Sequence, residues 1–462
     1  MQFLPRLLLF TILSFGLSAC TQSKDSKRFD EIKVPISGNS QEKTKEKLFG
    51  KKKAGLPILQ GYTNATTTQF SILHKKSEKP QFFIRSFEDL SNFKTKPIEI
   101  KRTEMPHSSW AISRLKVSNL KPKKNYRLEV WTKNKFQLLD LREFSTLDLT
   151  NNRVKILMAG CFKLNRTYRQ TKMWNEAFSH KPDMIILNGD TVYASGRPGF
   201  FVSTNPETIW NDYVNWRRHM ELYYRPNLTP TLAIWDDGDF GRKDGDRDFR
   251  YKEVSKTIFN AFFPQIPDGV NLTSGPGVSQ MLRAFGLDIF LMDARTFRSP
   301  KGDKAQTQWG RKQEQWLLKK LNLSLRPSFL VQGDQFFGGH HPFDSYEGQR
   351  PLSFRSLMEQ IKKVPKPVAF FSGDRHLTEL MALRPPEWPY QSFEFTTSAL
   401  HANTYKGTNS KYPNPRQIYG VDGVQNYGTL DVSTSGPSAQ VRIRAWAPNN
   451  LKLYDQVMYL KR

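Results

Sequence analysis

The chain has 462 residues, enough for two or three domains with sizeable cores. Its hydrophobic content of 38%, with 33 Phe and 10 Trp, indicates a globular rather than a disordered protein. Lys and Arg number 70 against 43 Asp and Glu, and the net charge of +27 favours anionic partners such as phosphoesters, anionic lipid, cell-wall polymer or nucleic acid. Because the basic residues are scattered and no nucleic-acid-binding motif occurs, we do not expect nucleic acid to be the partner.

The N-terminus has the pattern of an export signal. Arg6 precedes a short apolar stretch, Leu7 to Leu13, and the small residues Ser18 and Ala19 precede Cys20. This predicts a bacterial lipoprotein signal peptide over residues 1–19, with Cys20 lipidated; an ordinary secretory signal with an incidental Cys is the alternative. The apolar stretch is shorter than the roughly 20 residues that span a bilayer. We therefore expect the protein in the cell envelope, on the periplasmic or extracellular face, attached to the membrane through Cys20.

Two regions follow the signal. Residues 20–54 are rich in Lys, Ser, Glu and Asp, which is typical of a flexible tether. Residues 55–150 contain short strand-like runs separated by polar, Pro or Gly turns, and they predict a β-sandwich domain. In this domain Leu120, Pro122 and Tyr126 resemble the tyrosine corner of fibronectin-like and immunoglobulin-like sandwiches.

The remaining residues, 151–462, alternate strand and helix patterns, which predicts an α/β or α+β layered domain. The helices are expected at Thr171 to Ser179, Thr208 to Tyr223, Lys252 to Phe263, Gln313 to Leu323 and Leu352 to Ile361. Strand patterns return at Tyr427 to Val432, Val441 to Trp446 and Gln456 to Leu460.

Several apolar runs of this domain end in reactive side chains. The most prominent, Met184 to Leu187, ends in Asn188, Gly189 and Asp190. Similar runs precede Cys161, Asp236 and Asp237, Asp293 and Arg295, Asp334, and the segment Asp374 to His376. One strand-end Asp is more often a helix cap or turn residue than a ligand. Carboxylate, thiol and imidazole groups converging at one sheet edge, however, predict a metal site, because an ion compensates the cost of gathering like charges.

These segments together resemble the alkaline phosphatase D (PhoD-like) family of calcineurin-like metallophosphoesterases. The resemblance depends on the order and spacing of Ala159 to Cys161, Asn188 to Tyr193, Trp235 to Gly241, Met292 to Arg295, Gln313 to Leu317 and Ser372 to His376. It implies a calcineurin-like β-sandwich flanked by helices, preceded by the family's N-terminal sandwich domain. It also implies iron together with calcium as cofactors, with other divalent metals as alternatives, and hydrolysis of phosphomonoesters or phosphodiesters outside the cytoplasm.

The resemblance further implies roles for individual residues. The metal ligands would be Cys161, Asp190 as the bridging carboxylate, Tyr193, Asp237, Asp374 and His376. Among them Asp190, Asp237 and His376 would also serve catalysis, by activating a water as hydroxide and neutralising the phosphate. Arg295 is the candidate for stabilising developing charge, although an Arg at a strand end pairs structurally about as often. Asp236 is a residue that could support the ligands.

The third motif departs from the family pattern. Gly238 stands where members have His, and Lys243 where they often have Asn. In related enzymes that His contacts the phosphate or protonates the leaving group, which contributes about 10²–10⁴ in rate for general acid–base catalysis. The predicted function is therefore an exported metal-dependent phosphoester hydrolase, expected to be a monomer, with a catalytically weakened or inactive lipoprotein of binding or structural function as the alternative. His340 and His341 could reach the site from a loop, or lie on the surface.

Overall fold

The fold is a sheet-rich mixture of strands and helices. The computed structural model describes residues 55–87, 98–134, 137–164, 167–194, 204–303 and 306–461. The predicted signal peptide, Cys20 and the whole predicted tether, residues 20–54, lie outside these ranges. The described residues belong to one compact unit, Leu48–Arg462. No helix in these ranges combines the length and apolar character needed to cross a membrane.

Two antiparallel sheets form the N-terminal part. A four-stranded sheet has the order β1-β2-β5-β4 and a three-stranded sheet the order β3-β6-β7. The strands are β1 (Ile58–Thr63), β2 (Thr68–Lys75), β3 (Gln81–Ser86), β4 (Ile98–Glu104), β5 (Trp110–Val117), β6 (Asn125–Trp131) and β7 (Leu138–Ser145). Phe70 and Leu115 of one sheet share a core with Ile84 and Leu128 of the other. The hydroxyl of Tyr126 accepts a hydrogen bond from the Lys121 amide at 2.8 Å, as expected for a tyrosine corner.

Two larger sheets form the rest of the unit. The six-stranded sheet has the order β10-β9-β8-β19-β20-β21 and the eight-stranded sheet the order β11-β12-β13-β14-β15-β17-β16-β18. The strands are β8 (Arg153–Ala159), β9 (Met184–Asn188), β10 (Thr231–Ile234), β11 (Leu272–Ser274), β12 (Gln280–Ala284), β13 (Leu287–Leu291), β14 (Ser328–Val331), β15 (Val368–Ser372), β16 (Thr378–Leu383), β17 (Ser392–Thr397), β18 (Gln417–Val421), β19 (Tyr427–Ser433), β20 (Ala439–Ala447) and β21 (Leu451–Leu460). Strands β8, β9 and β10 are mutually parallel, and so are β13, β14, β15 and β17.

Helices occur at each predicted place, with adjusted ends. The helices are α1 (Thr167–Ser179), α2 (Pro206–His219), α3 (Asp237–Phe240), α4 (Lys252–Phe262), α5 (Gly310–Leu323), α6 (Tyr346–Gln349), α7 (Pro351–Ile361) and α8 (Thr408–Lys411). The short helices α3, α6 and α8 were not predicted. The helix predicted to reach Tyr223 ends earlier, because Met220 adopts an extended conformation as its C-cap, and a short 3-10 helix follows at Glu221–Tyr224. Apolar residues at helical spacing thus predicted the helices but not the break inside that run.

The N-terminal sheets pack directly on the larger domain. The Tyr62 amide donates to the Pro264 carbonyl at 2.9 Å. Ser71 Oγ donates to the Phe262 carbonyl at 2.7 Å and accepts from Arg217 Nη1 at 3.1 Å. These buried contacts tie β1 and β2 to the end of α4, which accounts for a single compact unit.

Candidate metal centre

The candidate site lies where the carboxyl ends of parallel strands from both larger sheets meet. Asn188, the last residue of β9, donates from Nδ2 to the carbonyl of Ser372 in β15 at 2.7 Å and to that of Thr397 in β17 at 3.1 Å. The loops after β8 and β9 are joined as well, since the Cys161 amide donates to the Gly189 carbonyl at 3.2 Å. The expectation of a single sheet edge was wrong in this respect, because a motif order alone does not reveal that the strands divide between two sheets.

Three carboxylates form the centre of the site. Asp190, Asp236 and Asp237 each offer an oxygen, and these oxygens lie within 4.8 Å of one another. Asp190 is 3% exposed and Asp236 is fully buried. Backbone amides orient two of them: Gly238 donates to Asp190 Oδ1 at 2.9 Å, and Asp244 donates to Asp237 Oδ2 at 2.8 Å. A group of three aspartates in this arrangement, two buried and one half-buried, could hold a metal ion.

Asp236 belongs to this group more closely than the sequence suggested. Its Oδ1 accepts from Arg295 Nε at 2.5 Å, whereas its Oδ2 is buried without a hydrogen-bond partner among the described residues. The loop after β14 approaches so closely that a Cβ at Gly333 would lie 2.5 Å from the Asp236 Cβ. A buried carboxylate oxygen without a donor is costly unless a cation occupies it. The adjacent Asp236 and Asp237 in the sequence indicated that Asp236 could take part in the site. The sequence does not show, however, which oxygen of Asp236 lacks a hydrogen-bond donor.

Burial and mutual repulsion perturb these acids strongly. Burial, followed by the charges of Asp237 and Asp236, raises the pKa of Asp190 well above its usual value. Burial also raises the pKa of Asp236, against the opposing effect of Arg295. The charges of the cluster also act on Asp374, because burial and the charge of Asp237 raise its pKa to about 7. An ion bound among these groups would compensate the charges that burial and proximity disfavour.

A thiol and a phenol adjoin the carboxylates. Cys161 is a fully buried free cysteine. Burial raises its pKa well above the usual value, and the charges of Asp190 and Asp374 raise it further. Burial, Asp190 and Cys161 likewise raise the pKa of Tyr193. The structure thus brings together Cys161, Asp190, Tyr193 and Asp374, although they come from three separate segments of the chain.

Four of the twelve non-glycine residues with positive φ in the described ranges belong to the site. They are Cys161 (58°), Asp190 (52°), Asp374 (58°) and His376 (54°). An L-residue in this region costs roughly 1–3 kcal/mol, and such conformations persist mainly at functional sites held by surrounding structure. Each of these four residues lies within a few residues of the carboxyl end of a parallel strand.

The ring of His376 has one nitrogen, Nδ1, without a hydrogen-bond partner in the described ranges. Its amide donates to Ser398 Oγ at 2.8 Å, and its ring stacks on Tyr405 with centroids 5.7 Å apart. The ring hydrogen-bonds the backbone of Asn403, while Nδ1 is buried with no partner in the described ranges. Burial lowers the pKa of His376 to about 4, so that the ring is neutral at neutral pH. A neutral imidazole with a free lone pair can be a metal ligand but is a poor general acid.

Arg295 is occupied by carboxylates. Besides the bond from Nε to Asp236, its Nη2 contacts the same carboxylate and its Nη1 donates to Asp344 at 3.1 Å. Arg298 also donates to Asp344, at 2.6 Å, and to Asp334. Arg295 is only 1% exposed. All three of its nitrogens therefore have acidic partners, and its observed contacts orient Asp236.

Three other acids with similar sequence context have structural partners instead. Asp293 accepts from Trp235 Nε1 at 2.8 Å and from the Val278 amide at 3.0 Å. Asp334 accepts from Gln308 Nε2 at 2.8 Å. For Asp239, the donors are the amides of Asp236, Thr191 and Val192, and burial raises its pKa to about 6. Asp293 and Asp239 accept from nearby backbone amides, as turn or capping groups do, whereas Asp334 is bonded by the distant side chains of Gln308 and Arg298.

Gly238 has no room for a side chain. A Cβ there would lie 2.7 Å from both Asp190 Oδ1 and the Val192 carbonyl oxygen. The amide and carbonyl of Gly238 are both engaged, with Asp190 and with the Ala194 amide. The absence of the expected His is thus built into the packing of α3 against the loop after β9. Lys243, the second departure from the motif, is exposed.

The two loop histidines differ from each other. His341 is 6% exposed, and its Nε2 and Nδ1 contact Gln335 Oε1 and the Phe343 amide at 2.8 and 3.2 Å. The expectation of surface histidines is therefore wrong for His341, which fastens its own loop. His340 is partly buried, and its Nδ1 is buried with no hydrogen-bond partner among the described residues.

Comparison with known proteins finds no matching family model, and no curated protein matches. Among solved structures, one match is the structure of Astrotactin-2, titled a conserved vertebrate-specific and perforin-like membrane protein involved in neuronal development. The identity is 8% and the TM-score 0.17, and the match covers 45% of this chain and 36% of that one. A likeness this weak carries no argument about fold or function. The function is therefore inferred from the geometry of the site.

Proposed function

We propose that this chain is a metal-dependent phosphoester hydrolase of the PhoD-like, calcineurin-like type, with an N-terminal sandwich domain. The observation that carries the proposal is the cluster of Asp190, Asp236 and Asp237, whose oxygens lie within 4.8 Å of one another. The neighbouring thiol, phenol and imidazole extend this donor set. Clusters of mainly anionic donors at converging strand ends suit ions that act on phosphate esters.

The donor set favours iron together with calcium. Thiolate, phenolate and carboxylate are donors for a ferric ion, and a carboxylate-rich neighbourhood suits calcium. The proposed ligands are Cys161, Asp190, Tyr193, Asp236 through Oδ2, Asp237, Asp374 and His376 through Nδ1. When bound, the ions would supply an activated water and compensate the charge on the phosphate oxygens.

The protein's own groups have separate tasks in this proposal. The Gly238 amide holds Asp190 by a 2.9 Å hydrogen bond, and Arg295 holds Asp236 through its other oxygen. Since the pKa of His376 is lowered to about 4 by burial, this residue serves as a ligand rather than as the proton donor. The buried junction between the sheets limits water and strengthens every charge interaction within it.

The residues outside the described ranges complete the proposal. We propose that residues 1–19 direct export, that Cys20 carries lipid, and that the hydrolase acts at the periplasmic or extracellular face of a bacterial envelope. The substrate is then an extracytoplasmic phosphomonoester or phosphodiester.

The second candidate is a non-catalytic lipoprotein with a binding or structural function. Gly238 favours it, because a side chain at this position would lie 2.7 Å from Asp190 Oδ1, so that no acid–base group can be present there. In this case the cluster would still bind metal but would not accelerate hydrolysis.

Hydrolysis of a phosphomonoester and a phosphodiester by metal-loaded protein tests the two candidates. Asp190→Ala should lose metal and reduce kcat/KM by at least about 10³-fold, because the central ligand is removed. Asp431→Ala is the matched control. Asp431 lies in β19 opposite Lys155 of β8, and its carboxylate accepts a hydrogen bond from Arg444. Equal background release by wild type and Asp190→Ala, with metal bound in the wild type, would establish the non-catalytic candidate.

A further inference from the structure

Arg375 is a buried cation of the site that forms no ion pair with the described residues. It follows Asp374 and precedes His376 in the loop after β15, and it is 8% exposed. Its Nε is buried with no hydrogen-bond partner, and none of its guanidinium nitrogens donates to another residue in the described ranges. An isolated buried charge costs several kcal/mol in proteins, so such a group is normally paired or reserved for a ligand.

The nearby arginines show what a paired cation looks like in this protein. Arg295 donates to Asp236 and Asp344, and Arg298 donates to Asp344 and Asp334. These two guanidinium groups are satisfied by the chain itself. Arg375 differs from both in having carboxylates nearby, Asp374 and Glu379, that act on it only at longer range.

The position of Arg375 connects the carboxylate cluster with an exposed aromatic loop. Its guanidinium carbon lies 4.4 Å from the centroid of the Phe343 ring, which is 43% exposed. The aromatic face covers one side of the guanidinium but offers no hydrogen-bond acceptor. The donors of Arg375 are therefore left for a group that enters between the cluster and this loop.

We propose that Arg375 binds the non-bridging oxygens of the substrate's phosphoryl group. The inference rests on the proposed function, and it makes Arg375 the cation beside the phosphoryl group, whereas the sequence suggested Arg295 for stabilising developing charge. Guanidinium groups recognise phosphate through paired N–H donors, and a cation held by packing against Phe343 needs little reorganisation to do so. The ligand class is inorganic phosphate or the anionic phosphoryl group of a phosphoester.

The decisive experiment compares Arg375→Gln and Arg375→Lys with wild type, using inorganic phosphate as the probe. Phosphate binding to the metal-loaded proteins is measured by calorimetry and by its effect on the melting temperature. Arg375→Gln should weaken phosphate binding about 10- to 100-fold, as expected for the loss of charge-assisted hydrogen bonds, and Arg375→Lys should recover only part of it. Metal content should be unchanged. Arg442→Gln removes the same charge from an exposed pair with Asp455 and should leave phosphate binding unchanged.

The melting temperature without phosphate provides a second readout. If Arg375 is reserved for a ligand, replacing it leaves the melting temperature of the phosphate-free protein equal or higher, because an unpaired buried charge has been removed. If Arg375 is structural, the variant melts lower and keeps its response to phosphate, which would overturn the inference.

Kinetics separate this inference from the proposed function. With an active wild type, Arg375→Gln should lower kcat/KM by about 10- to 100-fold. An active wild type with unchanged kcat/KM in Arg375→Gln refutes the inference alone. If wild type and Asp190→Ala are equally inactive, the proposed function fails, and the phosphate-binding comparison still decides whether Arg375 binds the anion.

Discussion

Replacing Asp190 by Asn should have opposite effects on the metal-free and the metal-loaded protein. Asparagine keeps the shape of the side chain and an oxygen that can accept the hydrogen bond from the Gly238 amide, which is 2.9 Å in the wild type. It removes one charge from the group of three carboxylates. The metal-free protein should therefore gain stability, whereas the response to metal should be lost.

The expected sizes follow from the geometry. Two carboxylate charges at the 4.8 Å limit of this group repel each other by roughly 3 kcal/mol at an effective dielectric constant of about 20. Burial raises the pKa of Asp190 and Asp236 and so disfavours their charged forms, and we therefore expect the metal-free variant to gain no more than this repulsion, about 1–3 kcal/mol. Metal at about 1,000 times its dissociation constant stabilises the wild type by roughly 4 kcal/mol, which the variant should lose.

Thermal unfolding with chelator, with calcium and with iron measures both effects. For a unit of this size, 1 kcal/mol changes the melting temperature by about 1 °C. Metal-free Asp190→Asn should melt about 1–3 °C above wild type and should not respond to either ion. Asp431→Asn, in a partly exposed contact with Arg444, serves as control and should keep the metal response. A metal-free variant that melts below wild type and still responds to metal would refute the conclusion that the three carboxylates repel one another and bind metal through Asp190.

Three further predictions concern the surroundings of the cluster. Gly238→Ala should destabilise the protein by about 1–3 kcal/mol and weaken metal binding in calorimetry, because its Cβ would lie 2.7 Å from Asp190 Oδ1; an unchanged affinity would contradict this packing argument. Asp344→Ala should cost about 3–5 kcal/mol in denaturant unfolding, since it leaves Arg295 and Arg298 without a shared acceptor, and a loss under 1 kcal/mol would count against it. Burial raises the pKa of Glu394 to about 7, so its contribution to folding is full below about pH 4.5 and is lost as the pH rises through 7. The stability difference between metal-free wild type and Glu394→Gln should therefore fall by about 3 kcal/mol over that range, and a difference independent of pH would reject the shift.

The periodicity of the sequence predicted the sheet-rich mixed architecture and the places of the main helices. Apolar runs followed by small and acidic residues also predicted that Cys161, Asp190, Asp237 and Asp374 would meet. Local patterns carry this information because a buried strand must end where the chain turns at the edge of a sheet. The same patterns do not tell which strands share a sheet, and the expectation of a two-sheet sandwich came from the family resemblance instead.

The sequence did not distinguish acids that remain free from acids that are already bonded. Asp293 and Asp334 end strands in the same way as Asp190, but neighbouring indole, amide and guanidinium groups saturate them. Asp236 and Asp239 are separated by two residues, and only the three-dimensional arrangement shows that Asp236 keeps one oxygen without a donor. Such differences depend on contacts between distant segments, which a single sequence does not display.

Direct hydrogen bonds join the two large sheets at the site, among them those from Asn188 to Ser372 and Thr397. Donors from the loop after β9 and from the loop after β15 face each other across this junction. An ion held by Asp190 and Asp374 would therefore act as a cross-link between the sheets. Chelation should accordingly speed amide hydrogen exchange in β9 and β15 together, while β20 and β21, at the far edge of the six-stranded sheet, keep their protection.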